Sequence, residues 1–207
     1  MTQRSPEETQ HRLLEAAERE FARHGFAGAR MARIARAARA NQRMVYHYFG
    51  GKQGMYEAVL RHVAEELDDQ MLPVFTAHAD RDPVAAYEAT MRAYFRIAGR
   101  HPTWARLMVQ ESLDSFRTLN RVTPASEDRF TPVMIPAIQR AQAAGRFREG
   151  ATPLLGLGLA AMLSLMHPLW RSRLVQGAPP LSSEMTDDEA AFLDGLVSIV
   201  LDGVRTR

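Results

Sequence analysis

The chain has 207 residues, 46% hydrophobic and 24% charged, a balance that suits a globular protein with one sizeable domain or a small one joined to a larger one. It has no cysteine, which excludes disulfides and thiolate chemistry, and its opening residues Met1 to Glu8 hold no apolar run, so no secretory leader is expected and a cytoplasmic location is. The net charge of +2 hides an asymmetry: residues 1–61 carry eleven Arg/Lys against six Asp/Glu, while the other 146 carry fifteen against eighteen, so a polyanion would meet the N-terminal part.

The pattern is helical nearly throughout, with no alternating strand signal. Ser5-Pro6-Glu7-Glu8 combines an N-cap serine, a proline at the first helical position and a glutamate able to close a capping box. Leu13, Leu14, Ala17 and Phe21 then recur at helical spacing until His24-Gly25, where glycine can end the helix in a left-handed conformation. A short helix is expected over residues 31–38 with Ile34 and Ala38 inward, and a second over 42–48 with Asn41 as N-cap. Gly50-Gly51 breaks it, and a long helix starts near Lys52 and runs to about Met71.

Beyond a polar linker, Asp82-Pro83 opens a helix and His101-Pro102 interrupts it to start another. A further helix is expected from Thr123-Pro124 to Gly145, with Pro132 and Pro136 causing either a kink or a break. Thr152-Pro153 opens an uncharged helix, residues 177–183 form a loop, and Thr186-Asp187-Asp188-Glu189 is a capping box for a last helix to about Val204. About nine helices result. Residues 151–170 contain no Asp, Glu, Lys or Arg and are long enough to span a bilayer, but Thr152, Ser164, His167, two prolines and the lack of a flanking basic cluster favour a buried or dimer-forming helix.

Three short helices, the third closing in Tyr46-His47-Tyr48-Phe49-Gly50-Gly51-Lys52, have the geometry of a DNA reader. The third helix is too short to be stable alone and needs Val45 and Phe49 packed against Leu14, Phe21 and Ile34. That leaves Gln42, Arg43, Met44, Tyr46 and His47 facing outward. Glutamine can pair with adenine, arginine with guanine, and methionine can touch a thymine methyl. Tyr46 and Tyr48 offer hydroxyls to phosphates, and Lys52, the only lysine, stands at a helix start where an anion is favoured.

These residues carry a resemblance to the TetR family of bacterial transcriptional regulators. It runs through Arg12-Leu13-Leu14-Glu15-Ala16-Ala17, Phe21-Ala22-Arg23-His24-Gly25-Phe26, Met31-Ala32-Arg33-Ile34-Ala35-Arg36-Ala37-Ala38 and Val45-Tyr46-His47-Tyr48-Phe49-Gly50-Gly51-Lys52-Gln53-Gly54-Met55-Tyr56, about a quarter of the chain. The resemblance implies an all-α homodimer with an N-terminal helix-turn-helix DNA-binding domain, residues 1–54, and a helical effector-binding and dimerisation domain, residues 55–207. It places Gln42, Arg43, Met44, Tyr46 and His47 where such proteins read bases or backbone, and Tyr48 and Lys52 where they grip phosphates. Three departures from the family pattern involve four positions. Ala29 and Arg30 stand where Thr or Ser is usual, removing a helix cap and a phosphate contact that Arg30 can replace. Arg39 replaces the turn glycine, so it either accepts left-handed strain or shifts the turn. Arg33 stands where an acid is common. Arg30, Arg33, Arg36 and Arg39 read first as a solvated surface and second as phosphate contacts.

Other chemistry fails on inspection. Gly156-Leu157-Gly158-Leu159-Ala160-Ala161 formally matches a dinucleotide fingerprint, but no strand precedes it, and its small residues suit close helix packing instead. Seven scattered histidines show no metal spacing, and no GxSxG is present, so neither metal, cofactor nor catalysis is expected. In the C-terminal part, Met91, Phe95, Trp104, Met108, Met134, Met162, Met166 and Trp170, with Glu111 among them, suit either a core or an adaptable pocket for a small, largely apolar effector. Leu154, Leu157, Ala161 and Leu165, with Phe192, Leu196, Ile199 and Gly203, recur at helical spacing on two helices that can form a four-helix dimer seam. The reading is a homodimeric repressor on a pseudo-palindromic double-stranded operator, released by its effector, with no membrane partner. The alternative is an all-α small-molecule-binding protein or enzyme that does not act on DNA.

Overall fold

The computed structural model describes residues 5–123, 129–150, 153–163 and 189–206. Every regular element among them is a helix, apart from one isolated antiparallel bridge between Phe147 and Arg205. In chain order these are α1 (Pro6–Gly28), α2 (Met31–Ala37), α3 (Gln42–Phe49), α4 (Lys52–Ala79), α5 (Pro83–Arg100), α6 (Pro102–Leu113), α7 (Arg117–Val122), α8 (Thr131–Ala143), α9 (residues 153–163) and α10 (Glu189–Val204). Two compact units divide the chain, one drawing on residues 1–66 and 103–127, the other on 67–102 and 128–207. Segment 1–54 therefore shares its unit with the start of α4 and with α6 and α7.

In the first unit, the Ser5 side chain accepts the Glu8 N–H at 3.1 Å, with Pro6 opening α1. Gly25 takes φ +68 and kinks the chain, but helix resumes beyond it to Gly28. Leu13, Ala17, Phe21, Ile34 and Val45 are wholly buried, so α1, α2 and α3 meet through one apolar centre. Leu14 and Phe49, expected in that centre, are half-buried at its edge. From α6, Glu111 accepts the Tyr56 Oη–H at 2.7 Å and the Leu119 N–H at 2.9 Å, which satisfies both oxygens of a buried carboxylate. Burial, then the Glu111 hydrogen bond and charge, pushes the Tyr56 phenol far above its ordinary pKa.

The second unit packs α5, α8, α9 and α10 around Phe75, Tyr87, Met91, Met134, Ile138 and Val200. Asp82 caps α5, accepting from the Val84 and Ala85 N–H groups at 3.0 and 3.2 Å. Among the described glycines of this unit, Gly156 permits the tightest approach. A Cβ there would lie 2.6 Å from Tyr87 Oη and 2.8 Å from Val204 Cγ1, which fits the small-residue reading of this stretch. Tyr87 Oη donates to the Pro153 carbonyl at 2.5 Å beside it.

Several boundaries differ from the sequence expectation. α4 passes Met71 and continues to Ala79 through Pro73. The proline ring is exposed, while Met71, Phe75 and Ala79 are buried at four-residue spacing, so packing outweighs the lost backbone bond. A short additional helix, α7, follows a turn in which Ser115 and Phe116 have positive φ. The helix expected from Thr123 starts instead at Thr131, where Pro132 occupies the first turn and its missing N–H costs nothing. Pro136 lies inside α8, which neither breaks nor ends there. The expected loop 177–183 and the cap at Thr186 to Asp188 lie outside the described residues. Among the described residues no helix is long and apolar enough to cross a membrane.

Candidate nucleic-acid interface

α3 is set at both ends by local chemistry. Asn41 Oδ1 accepts the Arg43 N–H at 2.9 Å, and Gly50, at φ +70, ends the helix by donating its N–H to the Tyr46 carbonyl. Val45 is its buried anchor. Gln42, Arg43 and His47 are exposed and Tyr46 is 52% exposed, while Met44, Tyr48 and Phe49 are half-buried. The Tyr48 ring meets His47 edge-on at 5.1 Å between centroids, which limits its rotation. Gly54 fixes the approach of α4: a Cβ there would fall 2.1 Å from the Phe49 carbonyl oxygen.

The missing cap of α2 is replaced from a distance. The Glu20 carboxylate on α1 accepts the Arg30 N–H at 2.9 Å and the Arg33 Nε–H at 2.7 Å. Burial opposes ionisation of Glu20, but hydrogen bonds from Arg33 and from the Arg30 N–H hold its carboxyl below the usual carboxylate range. Arg33 also donates to the Gly28 carbonyl at 2.9 Å. It is thus a brace of the corner between α1 and α2, while Arg30, Arg36 and Arg39 are exposed. Arg39 accepts the left-handed strain, with φ +51. Glu20 was missed in the sequence because its partners lie ten and thirteen positions away.

Lys52 Nζ donates to the Ala27 carbonyl at 3.0 Å and lies 5.1 Å from the Phe26 ring centroid. The ammonium therefore ties the start of α4 to the end of α1. It is half-exposed, and an ammonium has three donors, so a phosphate can share it.

In the second unit a cavity of about 250 Å³ is lined by Met71, Met91, Tyr94, Met134, Leu157 and Asp68, among others. Of the pocket residues expected from sequence, Met91 and Met134 line it, and Phe95 is buried in the same core without lining it. Met162 is exposed on α9. Trp104, Met108 and Glu111 belong to the first unit, where Trp104 is buried, Met108 half-buried and Glu111 held by Tyr56 and Leu119. Met166 and Trp170 lie outside the described residues. On α9 and α10, Leu154, Leu155, Leu159, Met162 and Ile199 are exposed, Leu155 and Ile199 by 71% and 70%. Leu157 and Leu196 turn instead to the core, and Leu165 and the Phe192 side chain are not described.

A short capped helix with a buried anchor and a polar outer face, held by two others, has the geometry of a helix-turn-helix. Residues 13–59 match the family described as bacterial regulatory proteins, tetR family. The chain is 36% identical over 114 residues to the transcriptional repressor SCO4008 of Streptomyces coelicolor, covering 55% of each protein. It is 28% identical over 143 residues to the transcriptional repressor NicS of Pseudomonas putida, covering 68% of this chain and 66% of NicS. It thus spans about half to two thirds of the length of these curated relatives. A TetR family transcription regulator from Marinobacter aquaeolei shares the fold over 97% of both chains, with a TM-score of 0.75 at 20% identity. Residues 13–59 are thus similar to the N-terminal segment of tetR family regulators, and the chain as a whole shares the fold of one solved member.

Proposed function

We propose that this protein is a homodimeric transcription repressor that holds a pseudo-palindromic operator and releases it when a small, largely apolar effector binds residues 55–207. The observation that carries the reading is the α3 face: Gln42, Arg43, Tyr46 and His47 are exposed beside the buried Val45, on a helix capped at both ends. Gln42 and Arg43 suit adenine and guanine edges; Met44 suits a thymine methyl. Tyr46, Tyr48, Lys52 and Arg30 are assigned to phosphates, which fix register rather than sequence. The repressor sense rests on the two relatives named repressors, and a cytoplasmic location follows from the DNA partner.

The exposed leucines of α9 with Ile199 of α10 support a seam with a second copy. A pseudo-palindromic operator then requires the two α3 helices to sit about one DNA turn, roughly 34–36 Å, apart. The cavity lined by Met91 and Met134 supports an effector site. Effector and operator then oppose each other by one factor in both directions. The test is to select fragments of the source genome with the purified protein and sequence them. Enrichment of one inverted repeat supports the reading. Failure to hold any duplex at low salt overturns it in favour of a small-molecule-binding protein without DNA.

A further inference from the structure

The lining of the cavity in the second unit is almost wholly apolar, with methionines 71, 91 and 134 beside Leu157. Among the described residues, three side chains interrupt it. Thr90 spends its hydroxyl proton on the Ala86 carbonyl at 2.8 Å. Asp68, the only carboxylate among the described lining residues, accepts the Arg129 N–H at 3.3 Å and lies 3.8 Å from Arg129 Nε, so its charge is already answered. The Tyr94 hydroxyl has no hydrogen-bond partner among the described residues, and burial pushes its phenol up to about 12, so it remains a proton donor at neutral pH.

From this lining we infer that the cavity takes a neutral ligand of about ten non-hydrogen atoms, apolar except for one hydrogen-bond acceptor that meets Tyr94. The size follows from scaling a dry cavity of about 150 Å³ that holds benzene to the volume found here. A carboxylate ligand would meet an apolar wall and the Asp68 oxygens, with no cation among the described lining residues to receive it. An ammonium would have to displace Arg129 from Asp68. A ketone or ester oxygen loses water on entry but gains the Tyr94 O–H, and the remaining atoms gain apolar burial.

This assignment rests on the cavity being the effector site, and two separate readouts keep the claims apart. Calorimetric titration of the full chain without DNA uses 2-octanone, octanoate, octylammonium and n-butylbenzene at pH 7. The ketone is expected to bind at least tenfold more tightly than either ion. Tyr94→Phe is expected to weaken the ketone about tenfold, one neutral hydrogen bond, and to leave n-butylbenzene unchanged. Octanoate or octylammonium binding as tightly as the ketone overturns the inference. So does equal weakening of ketone and hydrocarbon by Tyr94→Phe, or no binding by any probe. Anisotropy of a labelled selected operator is the second readout. A ketone that binds as expected but never releases DNA overturns the effector reading and leaves the ligand class standing.

Discussion

Glu20 accepts the Arg33 Nε–H at 2.7 Å while accepting the Arg30 N–H at 2.9 Å, so one α1 carboxylate both caps α2 and braces its first turn. A serine or threonine cap bonds its own helix. Here the cap comes from the neighbouring helix, and the orientation of α2 depends on the same atoms that start it. Glu20→Ala is expected to cost about 1–2 kcal/mol, the size of a lost cap, in urea denaturation. The pair swap Glu20→Arg with Arg33→Glu is expected to recover less than half of that, because an arginine at 20 cannot accept the Arg30 N–H.

The same carboxylate gives a pH dependence of known sign. Its folded pKa lies below the unfolded value, so its contribution is full above the ordinary carboxylate range and disappears as pH falls through the folded value. Glu20→Gln is expected to flatten the stability profile below about pH 4.3 and to leave it parallel to that of the parent above pH 6. Thermal midpoints measured from pH 3 to pH 7 check this.

Tyr46→Phe and Arg30→Ala are expected to weaken binding to every duplex and to reduce the slope of log affinity against log salt for Arg30→Ala by about one. Gln42→Ala or Arg43→Ala is expected to cost about 1–3 kcal/mol on the selected site and little on random DNA. Lys52→Ala combines two losses, a phosphate contact and the tie to the Ala27 carbonyl. It should lower both affinity and the urea midpoint, whereas Tyr46→Phe should lower affinity alone. Gel shifts on specific and random duplexes, with the denaturation curves, separate these cases.

Leu155→Glu tests the partner face. Leu155 is 71% exposed on α9, so a charge there is tolerated within one subunit, while burial against a second copy is not. The variant is expected to sediment as a folded monomer and to lose operator affinity at least a hundredfold. A variant that still sediments as a dimer places the seam elsewhere.

Local chemistry made the α3 segment legible. Asn41 and Gly50 each act within one helix turn of themselves, so spacing and residue type suffice to find them. The extension of α4 through Pro73 was hidden because Met71, Phe75 and Ala79 override a local breaker by tertiary burial. α7 is only six residues long and follows a turn with two positive-φ residues, which leaves little periodicity to detect. The cavity was half visible. Met91 and Met134 announced themselves as apolar residues at helical spacing, but nothing in the sequence separates Tyr94, whose hydroxyl has no partner among the described residues, from Tyr87, whose hydroxyl is taken by the Pro153 carbonyl.

Arg39 holds a backbone angle that suits glycine, at a cost of about 1 kcal/mol or more for a side chain in that region. Replacing it with glycine should raise the melting point and, because an exposed guanidinium is removed beside α3, loosen the grip on DNA. Selection for heat tolerance and selection for operator occupancy would therefore pull this one codon in opposite directions. A laboratory lineage evolved only for survival at high temperature should change it early and lose repression as it does so.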